Sequence, residues 1–463
     1  MNNVKFLFIN MVNPEREVEC SYPPLGPAYL VSYIKHNLSK HKIDFQMIRG
    51  DFEHEIKKRK PDIIGISCVS QNYNAAKKLA FFCKQVGVKS ILIGGSHISL
   101  CPLSLDQNID IGIVGEGEET FLELMKVYLK RNSFPKDELK KINGVVYWDK
   151  NKLATTPRRN LINPIDKIPF PDRSLFKVDP NMAHIFSSRG CPYRCVFCSS
   201  SRFWNKVRFH SAEYVFKEIK ELVRKYGAKR INFYDDLFIA DKKRIRRLGC
   251  LLTKAGLNKK VEIYVSARAN LIDDEICHLL KKINTKGISM GLESGSPKIL
   301  KFLKGETITV DDNLRAVNTI KKHGLYCSGS FIIGSPMDTK DTILDTLNFI
   351  KKSKIDEFGV YALTPLPGTP VWEYAQKKKL IPSDYAKINW NNIDVNFNSS
   401  HKYNVHLAKS LTREELYSMY QLFKKEKNKR TILRGIRLLF TNPGRFFYHL
   451  KNIINGESTI KLN

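Results

Sequence analysis

The sequence predicts an α/β protein built as two successive strand–helix series, closed by a basic helical tail. Three observations carry this. Over roughly the first 130 residues short apolar runs alternate with amphipathic helical patterns, as in βαβ units of a parallel sheet. The alternation restarts at His184 and runs through six repeats. After about residue 380 it dissolves into patterns in which cations and apolar residues interleave.

In the first series, strands are expected at Val4–Ile9, Ile43–Ile48, Ile63–Ser67, Ile91–Gly94 and Ile111–Val114, with helices at Pro27–Leu38, Tyr73–Val86 and Glu118–Leu129. Glycine-rich turns, Gly94-Gly95-Ser96-His97 and Gly115-Glu116-Gly117-Glu118, come directly after two of these strands. In open α/β sheets ligands lie outside the carboxyl ends of the strands, so several such turns at one edge favour a ligand over simple turn duty. Residues 141–180 read as a linker: Gly144–Trp148 and Leu153–Thr156 suit a small hairpin, and prolines 157, 164, 169 and 171 interrupt regular structure from there to residue 180.

The second series places strands at His184–Ser188, Arg230–Tyr234, Glu262–Ala267, Gly287–Gly291, Tyr326–Ile333 and Glu357–Leu363. Helices are expected at Ser211–Tyr226, Lys242–Ala255, Asp273–Lys282, Val310–His323, Lys340–Lys352 and Val371–Lys379. Six repeats suit an open, partial (β/α) barrel, whose chemistry belongs at the carboxyl ends of its strands. Two tail helices are expected, Arg413–Lys429 and Thr431–Phe440, before a Phe446-rich end. The expected divisions are 1–140, 141–180, 181–380 and 381–463.

With 463 residues, 42% hydrophobic and 27% charged, the chain suits a soluble globular protein of two or three domains. No apolar run approaches the length of a membrane span. The start, Met1 to Phe6, lacks a signal-peptide layout. Ten cysteines, mostly scattered, make no disulfide framework and suit a reducing cytoplasm. The net charge of +31 comes largely from lysines on helix-like segments. With no RNA- or DNA-binding motif beside it, nucleic acid is not the expected partner.

One loop is chemically specific. Gly190-Cys191-Pro192-Tyr193-Arg194-Cys195-Val196-Phe197-Cys198 places three thiols at CxxxCxxC spacing just after the first strand of the second series. Thiolates so spaced hold iron–sulfur clusters, and three ligands leave one iron of a four-iron cluster open. The alternative is structural zinc, which needs a fourth ligand; His184 and His210 are the candidates. Cys20, Cys68, Cys83 and Cys101 show no second grouping. Cys250, Cys277 and Cys327 read as small apolar residues.

With Phe197 before the last cysteine, this loop resembles that of the radical S-adenosylmethionine (SAM) superfamily. The Tyr22-to-Gly26 segment and the two glycine turns resemble the cobalamin-binding domain fused to one branch of it. The resemblance covers roughly residues 1–375 and implies a Rossmann-like cobalamin-binding sheet followed by a radical SAM barrel. It implies a [4Fe–4S] cluster on Cys191, Cys195 and Cys198, with SAM and cobalamin as further cofactors. Contacts to SAM are expected from Phe197, Asp235, Asp236, Ser266, Arg268, Glu293, Ser294, Ile332 and Gly334. Contacts to cobalamin are expected from Pro24, Gly26, Ser67, Gly94, Gly95, His97, Gly115 and Gly117. The histidine loop of the better-known cobalamin fold is replaced by Asn10-Met11-Val12-Asn13-Pro14, so cobalt is expected to lack a protein histidine ligand. His97 could be a ligand but reads first as a hydrogen-bonding loop histidine, and Asp51-Phe52-Glu53-His54, lacking the required spacing, suits a helix surface.

The implied activity is radical methylation of an unactivated centre in a small-molecule or lipid-like intermediate. The cluster would cleave SAM to a 5′-deoxyadenosyl radical, using electrons from a reductant such as flavodoxin or ferredoxin. Radical cyclisation or rearrangement, RNA modification and a sensor without turnover are the alternatives. The tail is expected to pack on the barrel, with peripheral membrane contact as its other reading.

Overall fold

The computed structural model describes residues 4–11, 22–204, 206–397 and 404–441. Its strands, in chain order, are β1 (Val4–Asn10), β2 (Ile43–Ile48), β3 (Ile63–Ser67), β4 (Ser90–Gly94), β5 (Ile111–Ile113), β6 (Val145–Asp149), β7 (Lys152–Thr155) and β8 (Ala183–Ile185). They continue as β9 (Ser188–Arg189), β10 (Arg208–Phe209), β11 (Arg230–Phe233), β12 (Glu262–Ala267), β13 (Thr285–Glu293), β14 (Tyr326–Ile333) and β15 (Glu357–Ala362). The first-half helices are α1 (Leu25–Asn37), α2 (Phe52–Arg59), α3 (Tyr73–Gln85), α4 (Ser96–Leu100), α5 (Glu118–Arg131) and α6 (Lys136–Leu139). Those of the second half are α7 (Ser200–Phe203), α8 (Ala212–Tyr226), α9 (Lys242–Lys254), α10 (Asp274–Lys282), α11 (Pro297–Lys304), α12 (Val310–Lys322), α13 (Lys340–Lys352), α14 (Pro370–Lys377) and α15 (Arg413–Thr441).

The first sheet has the order β2-β1-β3-β4-β5-β6-β7. β1 to β5 run parallel, as alternating βα units require, and β6 and β7 are antiparallel. The hairpin read as part of the linker is thus the edge of this sheet, carrying it past residue 140. Val145, Val146 and Tyr147 are buried on joining it.

The second sheet is six-stranded and all parallel, β15-β14-β13-β12-β11-β8, and its ends do not meet: it is an open barrel. In β14 burial alternates strictly, with Cys327, Phe331 and Ile333 in the core under the helices. Tyr326, Ser328, Ser330 and Ile332 occupy the opposite, lumen-side positions. Helix starts are set by side-chain caps: Ser211 caps α8, and Thr309 and Thr339 form capping boxes on α12 and α13.

Past β7 the connector is tied down on the barrel. Arg173, buried, donates to Glu218 of α8 at 2.6 Å and to the His184 carbonyl at 3.0 Å. The tail differs from expectation in two ways. Its two expected helices form one, α15, because no breaker stands between residues 429 and 431. The segment before it returns to the first sheet, where Trp390 is fully buried and stacks on Trp372 with ring centroids 5.8 Å apart. Val12 to Pro14, Cys20 and the Phe446-rich end lie outside the described residues.

Candidate active site

The carboxyl edge of the first sheet and the first strands of the barrel enclose a cavity of about 320 Å³. One wall is the edge of the sheet: Gly26, Ser67, Gly94, Gly95, Gly115 and Gly117. The other comes from the barrel side: Phe186, Ser188, Arg189, Trp204, Tyr234 and Asp236. Gly26, Gly94 and Gly115 have no atom within 4 Å of where a Cβ would stand. Side chains there would fill the cavity, so these glycines leave bare backbone for a large planar group to approach. Gly95 serves differently: its φ of 108° and a Cys68 carbonyl 2.5 Å from the Cβ position make it obligatory for the turn. This wall suits cobalamin.

His97 does not belong to that wall. It lies on α4 in the core, fully buried, with Nδ1 3.0 Å from Ser70 Oγ and Nε2 2.9 Å from Ser104 Oγ. Its ring lies 3.9 Å from Tyr73 and 4.4 Å from Trp390. Burial, with a smaller contribution from Lys77, lowers its pKa to about 3. Both ring nitrogens are engaged by hydroxyls, so it is a structural histidine and not a cobalt ligand. Pro24 caps the start of α1 and does not line the cavity either.

The three cysteines sit on the loop after β9. Gly190 opens it at φ 94°, where a Cβ would meet the Lys206 carbonyl at 2.7 Å and Trp204 Cβ at 2.9 Å. Only glycine fits. Beyond it, Val196 N–H donates to the Leu303 carbonyl at 3.1 Å and Cys198 N–H to the Cys195 carbonyl at 3.2 Å. Phe197 packs beside Val196 against apolar residues that include Leu303 and Trp372. The thiols are free and half-buried. Neither zinc candidate joins the three thiols: His210 pairs with Asp166 at 3.0 Å, and the His184 ring lies tilted against Tyr234 with centroids 4.3 Å apart. Among the described residues no three acidic, histidine or cysteine side chains converge on one metal ion. Three half-open thiols on one glycine-hinged loop fit a cluster, in which each thiolate binds its own iron.

Strand-end residues surround this loop, with unequal access. Asp236 faces the cavity and accepts from Ser200 Oγ at 2.6 Å; burial raises its pKa. Asp235 is turned away and consumed, accepting from Ser187 N at 2.6 Å, Ser187 Oγ at 2.5 Å and Ser188 N at 3.2 Å. It ties down Ser187 and Ser188 just before the cysteine loop. Arg268 lies 3.9 Å over the Tyr193 ring and donates to Thr307 Oγ1 at 2.8 Å, with Nη1 3.5 Å from Cys195 Sγ. It therefore addresses the cysteine loop directly. Glu293, at φ 62°, is buried 3.4 Å from Lys304 Nζ. Burial raises its pKa, against Lys304 and Arg268.

Ser266 and Ile332 keep half-buried positions on β12 and β14. Ser294 and Gly334 depart from expectation. Ser294 is buried against Thr346 Oγ1 at 3.0 Å and accepts from Ser296 N, a turn-capping role. Gly334 faces the tail, where its Cβ would meet Leu416 at 3.0 Å.

Sequence reasoning missed the charges that join the two walls. Arg189 donates to Glu116 and Glu118, each at 2.6 Å, and Arg208 reaches Glu116 at 3.0 Å. Trp204 lies under both guanidinium groups, at 5.6 and 5.5 Å. Burial opposes these charges, but Glu118 and Glu116 outweigh it and raise the Arg189 pKa. The signal was present: two acids inside a glycine turn, and an arginine directly before the cysteine loop.

Fold and site together define a class of protein, a ligand-binding α/β domain set against a cluster-bearing open barrel. Residues 16–125 match the B12 binding domain and residues 185–350 the radical SAM superfamily. The chain is 36% identical over 390 residues to "Uncharacterized methyltransferase PH0819" of Pyrococcus horikoshii, covering 81% of this chain and 82% of that one. It is 24% identical over 411 residues to the anaerobic magnesium-protoporphyrin IX monomethyl ester cyclase of Cereibacter sphaeroides, covering 84% of this chain and 66% of that one. The solved structure of the cobalamin-dependent SAM radical enzyme OxsB, with aqua-cobalamin and SAM bound, shares the fold at a TM-score of 0.67. Identity there is 17%, with 99% of this chain and 76% of that chain covered. The chain belongs to the cobalamin-dependent radical SAM enzyme family. Its cofactors are a [4Fe–4S] cluster, SAM and cobalamin.

Proposed function

We propose that this enzyme transfers a methyl group from cobalamin to an unactivated centre of a small-molecule or lipid-like biosynthetic intermediate. The observation that carries this is the single cavity with two unlike walls, bare glycine backbone on one side and Asp236 beside the cysteine loop on the other. When bound, the cluster and SAM supply a carbon-centred radical and cobalamin supplies the methyl group; the hard chemistry is theirs. The chain's share is placement. Cys191, Cys195 and Cys198 hold the cluster, and Arg268 donates toward the Cys195 sulfur. Asp236 stands where an ammonium of SAM would be held, with Phe197, Ser266, Glu293 and Ile332 around the same strand ends. Gly26, Gly94 and Gly115 leave the face open to the corrin, and Ser67, Gly95 and Gly117 line the same wall. The named function of the Pyrococcus horikoshii relative supports methyl transfer. The cyclase relative favours ring closure as the second reading.

An external one-electron reductant such as flavodoxin or ferredoxin, and a cytoplasmic setting, complete the reading. Among the described residues no helix is long and apolar enough to cross a membrane. Peripheral membrane contact through the C-terminal region accompanies the lipid-like choice of substrate.

The test is anaerobic reconstitution with reductant and methyl-deuterated SAM, with profiling of small-molecule, lipid and RNA fractions. Label in a small molecule or lipid, with S-adenosylhomocysteine and 5′-deoxyadenosine formed together, supports the proposal. Replacing Cys191, Cys195 and Cys198 with Ala abolishes both by-products. Deoxyadenosine with an unlabelled product establishes cyclisation or rearrangement instead, and label in RNA overturns the substrate class.

A further inference from the structure

The two halves of α15 face different surroundings. In the first half Leu416, Met419 and Phe423 are buried in the barrel core. In the second half, polar groups make the attachment: Arg430 donates to the Ile355 carbonyl at 2.9 Å and the Ile350 carbonyl at 2.5 Å, and Arg434 donates to the Asp356 carbonyl. Held by those arginines, the helix turns its apolar residues outward. Ile432, Leu433, Ile436 and Phe440 are 62%, 55%, 48% and 80% exposed. Their spacings of three, four, seven and eight place them on one face.

Along the helix itself the charge around this face has one sign, and Asp356 and Glu357 lie with Arg430 and Arg434 at its attached side. Lys425 and Lys429, both exposed, continue the stripe at four-residue spacing, and no acid comes after Glu426 in the helix. Lys351, Lys352 and Lys354 are exposed beside it, in the turn whose carbonyls Arg430 binds. An apolar stripe rimmed by cations suits the boundary of an anionic bilayer, with apolar side chains among the acyl chains and lysines at the headgroups. A second copy of this chain would bring the same cations together, and RNA would leave the apolar stripe unused.

We propose that the outward face of α15, with Lys351, Lys352 and Lys354, docks the enzyme peripherally on anionic lipid. This rests on the membrane contact in the functional reading and names its surface, and it does not depend on which molecule is methylated. The loaded enzyme is tested by co-sedimentation with phosphatidylcholine vesicles, with and without phosphatidylglycerol. The comparison protein carries Ile432→Ser, Leu433→Ser, Ile436→Ser and Phe440→Ser. Binding only to phosphatidylglycerol vesicles, weakened roughly a hundredfold in the variant, is expected from the apolar area withdrawn from water. Unchanged circular dichroism and deoxyadenosine formation show that the variant is folded. Equal binding by both proteins, or no binding by the parent, overturns the proposal. So does a parent dimer that the variant converts to monomer, which would assign the face to self-association. Failure of the methyl-label assay leaves the vesicle result standing, so the two readings fail separately.

Discussion

His97 shows how residue-level chemistry depends on partners remote in sequence. Beside a glycine turn in a cofactor-binding sheet, a histidine could be a ligand or a hydrogen-bonding group of the loop, and the structure gives the second. Its real neighbours, Ser70, Ser104, Tyr73 and Trp390, come from as far as the tail, and no local pattern announces them. Its neutral form is the one the fold accepts. The unfolded chain takes up a proton near the ordinary 6.5 while the folded chain waits until about 3, so stability is full above 6.5 and falls as pH drops. The expected slope from this residue is up to about 1.4 kcal/mol per pH unit across that window. His97→Gln should flatten the acid limb of a urea-denaturation series and leave cobalamin binding unchanged. Loss of the cofactor in that variant would restore His97 as a ligand. The cysteines, by contrast, were legible because the three ligands share one loop and spacing alone defines them.

At the scale of elements, the turn between β5 and α5 works as a clasp. Its glycines were readable as an open edge, while its glutamates gain meaning only from Arg189 and Arg208, more than seventy residues away. Because these charges are buried, removing one partner strands the rest. Arg189→Met should cost about 3–5 kcal/mol in denaturant unfolding, far more than an exposed pair would. Adding Glu118→Gln to that variant should recover part of the loss, since Glu116 keeps Arg208 and the carboxylate that Arg189 alone had paired is then gone. Most strands were closely legible because parallel strands read as apolar runs, but the expected His184–Ser188 strand divides into β8 of the barrel and β9, which pairs antiparallel with β10. The hairpin β6–β7 was visible as a hairpin but not as a sheet edge, because pairing with β5 is a tertiary fact.

For the whole molecule, the C-terminal region binds the two halves together. Trp390 packs into the first domain and α15 onto the barrel, so neither half is complete without it. Trp390→Ala should therefore cost about 3–5 kcal/mol. It should also split a single calorimetric transition into two, the first domain melting earlier. An unchanged single transition would show that the halves couple by another route. The packing of the tail helix on the barrel was legible from its interleaved cations and apolar residues, whereas the return of Trp390 to the first domain was not, since the irregular backbone around it carries no periodicity to read.

The open barrel has one more consequence, which concerns solubility. A sheet that does not close leaves two rows of backbone donors and acceptors able to recruit another chain. At one end β8 is only three residues long and offers little to pair with. At the other, β15 is met by the returning tail, where Ala362 N–H donates to the Val395 carbonyl at 2.8 Å and Thr364 Oγ1 to the Asp394 carbonyl at 2.8 Å. A chain cut short of those residues would keep its cysteines, its glycine turns and its clasp. Its bare β15 edge would nonetheless be free to pair with its neighbours, and the protein would be lost to aggregation before any question of catalysis arose.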